Sequence, residues 1–227
     1  MAENKGTIYE RELCNKMNTA GVVPEGFTPA ASDSNAPDII FYANGGSTYN
    51  LEVKLNLLDP DYGQGSFSYD NGWKVSGQNA KMQELLDNIG AESVANRIWP
   101  ATPNKGTVSN DDITPEMVTQ DYQNFKTQYE DVSRDMVFDY YASKNTYYIQ
   151  IGGYGMYYMK EDPAGLESRG VPQFNGGFKL RYRLKRTTSV ENSKGAKYNY
   201  RFSTALKARA NSKPTNTPVD LDDISEW

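Results

Sequence analysis

The spacing of apolar and polar positions divides the chain into stretches of different character. In TIYERELCNKMN, Thr7 to Asn18, the residues Ile8, Leu13 and Met17, with Tyr9 and Cys14, recur at helical intervals. An opening helix ending before Gly21 is therefore expected. A loop rich in Pro, Gly and Ser runs from there to Pro37. DIIFYA then reads as a strand and NGG as a turn, and in TYNLEVKLN the apolar Leu51, Val53 and Leu55 alternate with Glu52 and Lys54. That pattern predicts a hairpin. Further on, GSFSYDNGWKV holds an Asn-Gly turn signal within a third strand region, and GQNAKMQELLDNIG reads as a helix closed by Gly90. A connector rich in turn residues follows, from Ala101 to Thr114.

From Pro115 to about Ser143, the residues Val118, Tyr122, Phe125, Tyr129, Val132, Met136 and Tyr140 keep a helical stripe, which predicts the longest helix of the chain. The character then changes. NTYYIQIGGYGMYYM, GGFKLRYRLKRT and KYNYRFSTALKAR are rich in tyrosine and other strand formers, with glycines between them. They predict a second group of strands over 146–213. Within FKLRYRLKR, a period of two sets Lys179, Arg181, Arg183 and Lys185 on one face and Phe178, Leu180, Tyr182 and Leu184 on the other. The end of the chain, residues 214–227, is polar and acidic, and a flexible tail is expected. The length suits one domain, residues 1–213, and the mixture of elements is α/β.

Charge changes this picture more than composition does. The net charge is -5, but 171–213 holds 11 basic residues against one acid, Glu191, while the tail holds four acids and no base. One face of the molecule can therefore be strongly basic although the whole is acidic. The chain has no histidine and one cysteine, Cys14. This excludes histidine-assisted nucleophilic catalysis, histidine metal sites, cysteine zinc clusters and an internal disulfide framework. No apolar run approaches the roughly 20 residues of a membrane span, and the first residues lack the segments of a secretory signal. A cytoplasmic protein without a membrane partner is the expectation.

The hairpin carries the candidate chemistry. Neighbouring strands lie roughly 4.8 Å apart, so Asp38 at the start of one strand and Glu52 on the other can converge. Lys54, two residues after Glu52, shares its face. Two carboxylates suit a hard divalent cation such as Mg²⁺, which takes one or two protein carboxylates and keeps waters and phosphate oxygens. The short motifs are cheap in themselves: Glu3-Asn4-Lys5 repeats the acidic-x-Lys triplet, and Pro60-Asp61 repeats the Pro-Asp pair, both outside such a hairpin. On the basic strands, Lys179, Arg181, Arg183, Lys185, Arg186, Lys197 and Arg201 are candidates to track nucleic-acid phosphates, with Lys207 and Arg209 extending the charge. Interleaved tyrosines are candidates to stack on bases.

PDII, whose aspartate is separated by 13 residues from EVK, resembles the signature of the PD-(D/E)XK nuclease superfamily, which includes restriction enzymes, resolvases, and phage and repair nucleases. KGTIYERE resembles the opening helix of archaeal-type Holliday junction resolvases, whose glutamate would be Glu10 here. The resemblance covers roughly Lys5 to Gly90. It implies a restriction-endonuclease-like core, a mixed central sheet flanked by helices, with core motifs in 5–90, a helical insertion at about 115–143 and a C-terminal strand-rich basic extension. It implies a Mg²⁺-dependent DNA endonuclease, phage or bacterial, of structure-selective or processing type, with Mn²⁺ able to substitute. The alternatives are a type II restriction endonuclease and a non-catalytic DNA-binding or assembly protein that keeps the fold. Asp38 and Glu52 would be metal ligands, with the Val53 carbonyl as a third. Lys54 would orient the attacking water and stabilise the pentacovalent phosphate, as a cation whose pKa two carboxylates raise. Glu10 would hold a metal-bound water or a second ion, and Gln78 would support the site. A homodimer is also implied. The acidic tail ending in Trp227 is a candidate dock for a protein partner or competitor with DNA for the basic face.

Overall fold

The computed structural model describes residues 4–29, 36–43, 45–69, 72–76, 79–98, 112–125, 127–186, 191–196, 200–215 and 219–223. These fall into two compact units, one made of 1–60, 133–178 and 208–227 and the other of 61–132 and 179–207. Among the described residues no helix is long and apolar enough to cross a membrane.

The first unit begins with α1, Lys5–Thr19, whose N-cap Asn4 side chain accepts from the Gly6 N–H. Such a cap satisfies one of the amides a helix start leaves open. Its buried residues Leu13, Cys14 and Met17 lie on one face. The expected hairpin forms: β1, Ile39–Ala43, pairs antiparallel with β2, Ser47–Lys54, with Ile39 opposite Leu51 and Ala43 opposite Ser47. Next to β2 lies β6, Thr146–Ile151, in parallel, followed by antiparallel β7, Gly155–Tyr158, so the sheet order is β1-β2-β6-β7. A parallel neighbour requires a crossover. The last element of that crossover is α5, Arg134–Ser143.

Two faces of this sheet are distinct. Leu13, Cys14 and Met17 of α1 share a core with Ile39, Phe41, Leu51, Val53, Tyr148 and Met156. On the α5 side, Phe138 meets Phe174 edge-on at 6.4 Å, and Phe174 meets Tyr157 at 5.6 Å. The turn out of β6 needs glycine: a Cβ on Gly152 would stand 2.2 Å from the Leu55 carbonyl oxygen, so only glycine lets this turn close against the end of β2.

The end of the chain corrects the expectation of a flexible tail. Leu221 is fully buried in the α1-side core, within a 3-10 turn over Leu221–Asp223. The Tyr9 hydroxyl donates to Asp222 at 2.8 Å, Lys16 Nζ donates to the Asp222 carbonyl at 2.8 Å, and Gln150 donates to Asp220 at 2.6 Å. The Met156 N–H also donates to the Val219 carbonyl at 3.0 Å, so an apolar anchor and several polar contacts hold 219–223. Trp227 lies outside the described residues.

The second unit holds β3, Gln64–Tyr69, and β4, Trp73–Ser76, an antiparallel pair between which Asn71 of the expected turn lies outside the described residues, and α2, Ala80–Asn88, which Asn79 caps. Then come α3, Ala91–Ile98, α4, Pro115–Asn124, β5, Thr127–Val132, β8, Phe178–Arg186, and β9, Tyr200–Ala208. The sheet order is β4-β3-β9-β8-β5. Phe67, Trp73, Tyr182 and Phe202 are buried on one face of it, with Trp73 and Phe202 ring centres 4.5 Å apart. Gly65 lies under α2, where a Cβ would come within 2.7 Å of Leu86 Cδ1.

The expected helix over 115–143 is in fact helix, strand, helix: α4, β5 and α5. Its stripe is not a buried face, since Tyr129 and Met136 are exposed while Val118 of α4 and Val137, Phe138, Tyr140 and Tyr141 of α5 are buried. Pairing of 127–132 with β8 overrides the local helical preference. The basic extension also divides. β6 and β7 complete the hairpin's sheet in the first unit, and β8 and β9 build the sheet of the second.

Candidate functional site

Continuing the β1–β2 register one step beyond Ile39 and Leu51 brings Asp38 level with Glu52. Asp38 accepts a hydrogen bond from the Val53 N–H at 2.7 Å, which pins its carboxylate at the open end of β1. A strand residue turns its N–H and C=O to the same neighbour, so the Val53 carbonyl faces this end too. Glu52 Oε1 and Lys54 Nζ are 2.6 Å apart, with side chains 11% and 13% exposed. From α5, the Tyr141 hydroxyl donates to Glu52 Oε1 at 3.3 Å.

The charges answer one another. Burial pushes Asp38 up to about 6, the Glu52 charge adds to this, and Lys54, the Val53 N–H and Lys144 pull back. Half-buried Glu10 of α1 rises to about 7, by burial and then the Asp38 charge, with Lys54 opposing. Burial alone would raise Glu52, but Lys54, Lys144 and the hydrogen bonds from Lys54 and Tyr141 hold it below the usual carboxylate range. Burial alone would lower Lys54, but Glu52 and Asp38 hold it above its ordinary value. At neutral pH Lys54 is an ammonium and Glu52 an anion. Glu10 is poised between forms.

Glu10, Asp38, Glu52 and Lys54 are therefore brought together. Among the described residues no three Asp, Glu, His or Cys side chains form a ready-made metal cage. Two carboxylates and a backbone carbonyl are nonetheless a donor set of the kind Mg²⁺ uses, since it keeps several waters. Burial lifts Asp38 and Glu10 most, and the crowded negative charge that adds to it would be relieved by a dication.

Other expectations come out differently. Gln78 lies outside the described residues. The helix that follows it, α2, belongs to the second unit, and α5 is the one against the Glu52 face. Sequence reasoning missed Tyr141 and Lys144. Their signal is the spacing Tyr140, Tyr141, Lys144 on one helical face, hidden while 115–143 read as one helix ending short of Lys144.

On β8, Phe178, Leu180, Tyr182 and Leu184 are buried. Tyr182 is thus core and cannot stack on bases as the alternation suggested. Arg183, Lys185 and Arg201 are exposed. Lys179 lies over the Tyr129 ring at 4.1 Å, and Arg181 is 3.5 Å from Asp61, which also pairs with Lys207 at 2.9 Å. Strand register adds exposed Lys74 to the row Lys74, Ser68, Arg201. The Arg186 side chain and Lys197 lie outside the described residues.

Comparison of the chain with known protein families, curated proteins and solved structures finds no match.

Proposed function

We propose that the chain is a Mg²⁺-dependent DNA endonuclease of the PD-(D/E)XK type, with Asp38, Glu52, Lys54 and Glu10 as its working groups. One observation carries the reading: two carboxylates and a lysine from a single hairpin meet with a glutamate from the opening helix, although nothing in core packing calls for so much charge at one place. The first unit's mixed sheet, with α1 and α5 against it, supports the finer assignment of a restriction-endonuclease-like core.

Phosphodiester hydrolysis needs an activated water, an in-line approach and stabilisation of charge on the phosphate. Mg²⁺ held by Asp38, Glu52 and the Val53 carbonyl would supply Lewis acidity and a more acidic water. Lys54, kept as an ammonium, orients the attacking water and balances charge on the phosphate oxygens. It cannot serve as a neutral base. Glu10, titrating near 7, is in the range in which a carboxylate takes up a proton at neutral pH. Arg183, Lys185 and Arg201 on the second unit's sheet hold DNA phosphates.

The test is incubation of wild type and Lys54→Ala with supercoiled, linear and branched DNA, in Mg²⁺ or EDTA. Cleavage is expected only from wild type in Mg²⁺, with Mn²⁺ substituting, and with Lys54→Ala reduced at least about 100-fold. Cleavage that survives both EDTA and Lys54→Ala overturns the mechanism. A banded digest of linear DNA would mark a restriction enzyme, and binding without cleavage a non-catalytic relative.

A further inference from the structure

The site's one cation so far, Lys54, is committed to Glu52 at 2.6 Å. Around it stand Glu10, Asp38 and Glu52. A phosphodiester brings a further negative charge to this acid-rich place, and Lys54 with a bound Mg²⁺ would answer three of the four negative charges then present.

The last turn of α5 holds a second cation. Lys144 is its C-cap, and its ammonium lies 5.4 Å from the Tyr140 ring centre and 5.6 Å from that of Tyr141. Tyr141 in turn touches Glu52 through its hydroxyl. The direction follows from helix geometry. A helical side chain leans toward the helix N-terminus, over its neighbours three and four residues back. α5 returns the chain to the start of β6, where Thr146 is level with Asn50 of β2, so this lean points along β2 toward Glu52 and Lys54. Asn145, at φ +57°, turns helix into strand directly after Lys144. Its charge is felt at both Asp38 and Glu52. Yet among the described residues it forms no ion pair of its own, its near neighbours being two aromatic faces. A cation held on ring faces keeps its other side available to an anion.

We propose that Lys144 is a substrate-binding residue: standing on the wall of Tyr140 and Tyr141, it takes a non-bridging oxygen of the DNA phosphate presented to Asp38, Glu52 and Lys54. This rests on the nuclease reading for its substrate, and binding and cleavage are therefore measured separately. Wild type, Lys144→Ala, Lys144→Arg and a control, Lys160→Ala, whose lysine is exposed and paired with Asp139, are compared for binding of a fluorescent DNA oligonucleotide in Ca²⁺. The same four are compared for kcat and KM in Mg²⁺, and for thermal melting. Lys144→Ala is expected to weaken binding and raise KM about tenfold, the size of one charge-assisted hydrogen bond in a partly screened site. Its kcat should stay within about twofold, Lys144→Arg should recover most of the loss, and Lys160→Ala should match wild type. Unchanged binding in Lys144→Ala, or Lys144→Arg as weak as Lys144→Ala at an unchanged melting temperature, overturns the assignment. Absence of cleavage by wild type with the binding loss intact would instead sink the nuclease reading and leave the phosphate contact standing.

Discussion

Each unit contains a lysine against a carboxylate at nearly the same burial, and the two clusters behave differently. In the first, Lys54 meets Glu52 at 2.6 Å with side chains 13% and 11% exposed. In the second, Lys207 meets Asp61 at 2.9 Å with side chains 13% and 20% exposed. Both include an aspartate that follows a proline, Pro37-Asp38 and Pro60-Asp61. What separates them is balance. Asp61 gives one oxygen to Lys207 and the other to Arg181, so one acid is closed by two bases. Around Lys54 and Lys144 stand three carboxylates, and burial together with this excess charge lifts Asp38 to about 6 and Glu10 to about 7. A closed cluster holds strands together. An unbalanced one keeps a demand for a cation and protons that move near neutrality, as a site for phosphate chemistry requires.

The strongest way to break this contrast is to neutralise one aspartate in each. Asp61→Asn removes the carboxylate that Lys207 and Arg181, both largely covered, share, and stability should fall by about 1–3 kcal/mol, discounted from the buried-pair value for residual exposure. Asp38→Asn keeps an acceptor for the Val53 N–H and removes a crowded charge. Without metal at pH 8 it should melt higher, by about 1 kcal/mol, while cleavage is lost. Thermal melts of both variants decide it, and a loss of stability in both would end the distinction.

The pH profile is a milder probe. Asp38 and Glu10 titrate higher in the folded chain than carboxyls do unfolded, so the folded state holds more protons between about pH 4 and 7. Their contribution is fully present below the unfolded carboxyl range and is lost as pH rises through about 6 and about 7. Each proton changes stability by at most about 1.4 kcal/mol per pH unit, and less for half-exposed Glu10. The metal-free melting temperature should therefore decline from pH 5 to pH 8 through these groups, with a shallower decline in Glu10→Gln. Added Mg²⁺ should flatten it as well. An unchanged slope in Glu10→Gln would remove Glu10 from the cluster.

The parts of this arrangement that were legible from sequence are those encoded locally. Leu51, Val53 and the charges between them write the strand, the Gly-Gly turn closes the hairpin, and the β8 alternation sorts its residues into buried and outward sets. The opening helix was legible too, from Leu13, Cys14 and Met17. What stayed hidden depends on contacts distant in sequence. Parallel pairing of β2 with β6, about a hundred residues apart, leaves no local mark. Two units whose segments alternate along the chain look like one run of elements. The docking of 219–223 depends on Leu221 and on partners distant in sequence, Tyr9, Lys16, Gln150 and Met156 among them, that nothing nearby announces. Lys144 belongs to the same class, since its place near Glu52 depends on α5 packing Tyr141 against that residue.

The smallest expected effects concern the second unit's basic face, where four cations alternate along β8 and one pattern hides two roles. Arg183 and Lys185 are exposed, whereas Lys179 rests on Tyr129 and Arg181 on Asp61. If the exposed pair holds DNA phosphates, Arg183→Ala with Lys185→Ala should weaken oligonucleotide binding only several-fold at moderate salt. It should also reduce the slope of log affinity against log salt by about 1–2, one phosphate contact being worth about 0.9 in duplex DNA. Arg181→Ala should instead cost melting temperature and leave that slope nearly unchanged, because its charge is already answered. A slope reduced equally by Arg181→Ala at constant stability would show that Asp61 releases its arginine to DNA. The second unit's closed cluster would then be part of the binding face rather than its scaffold.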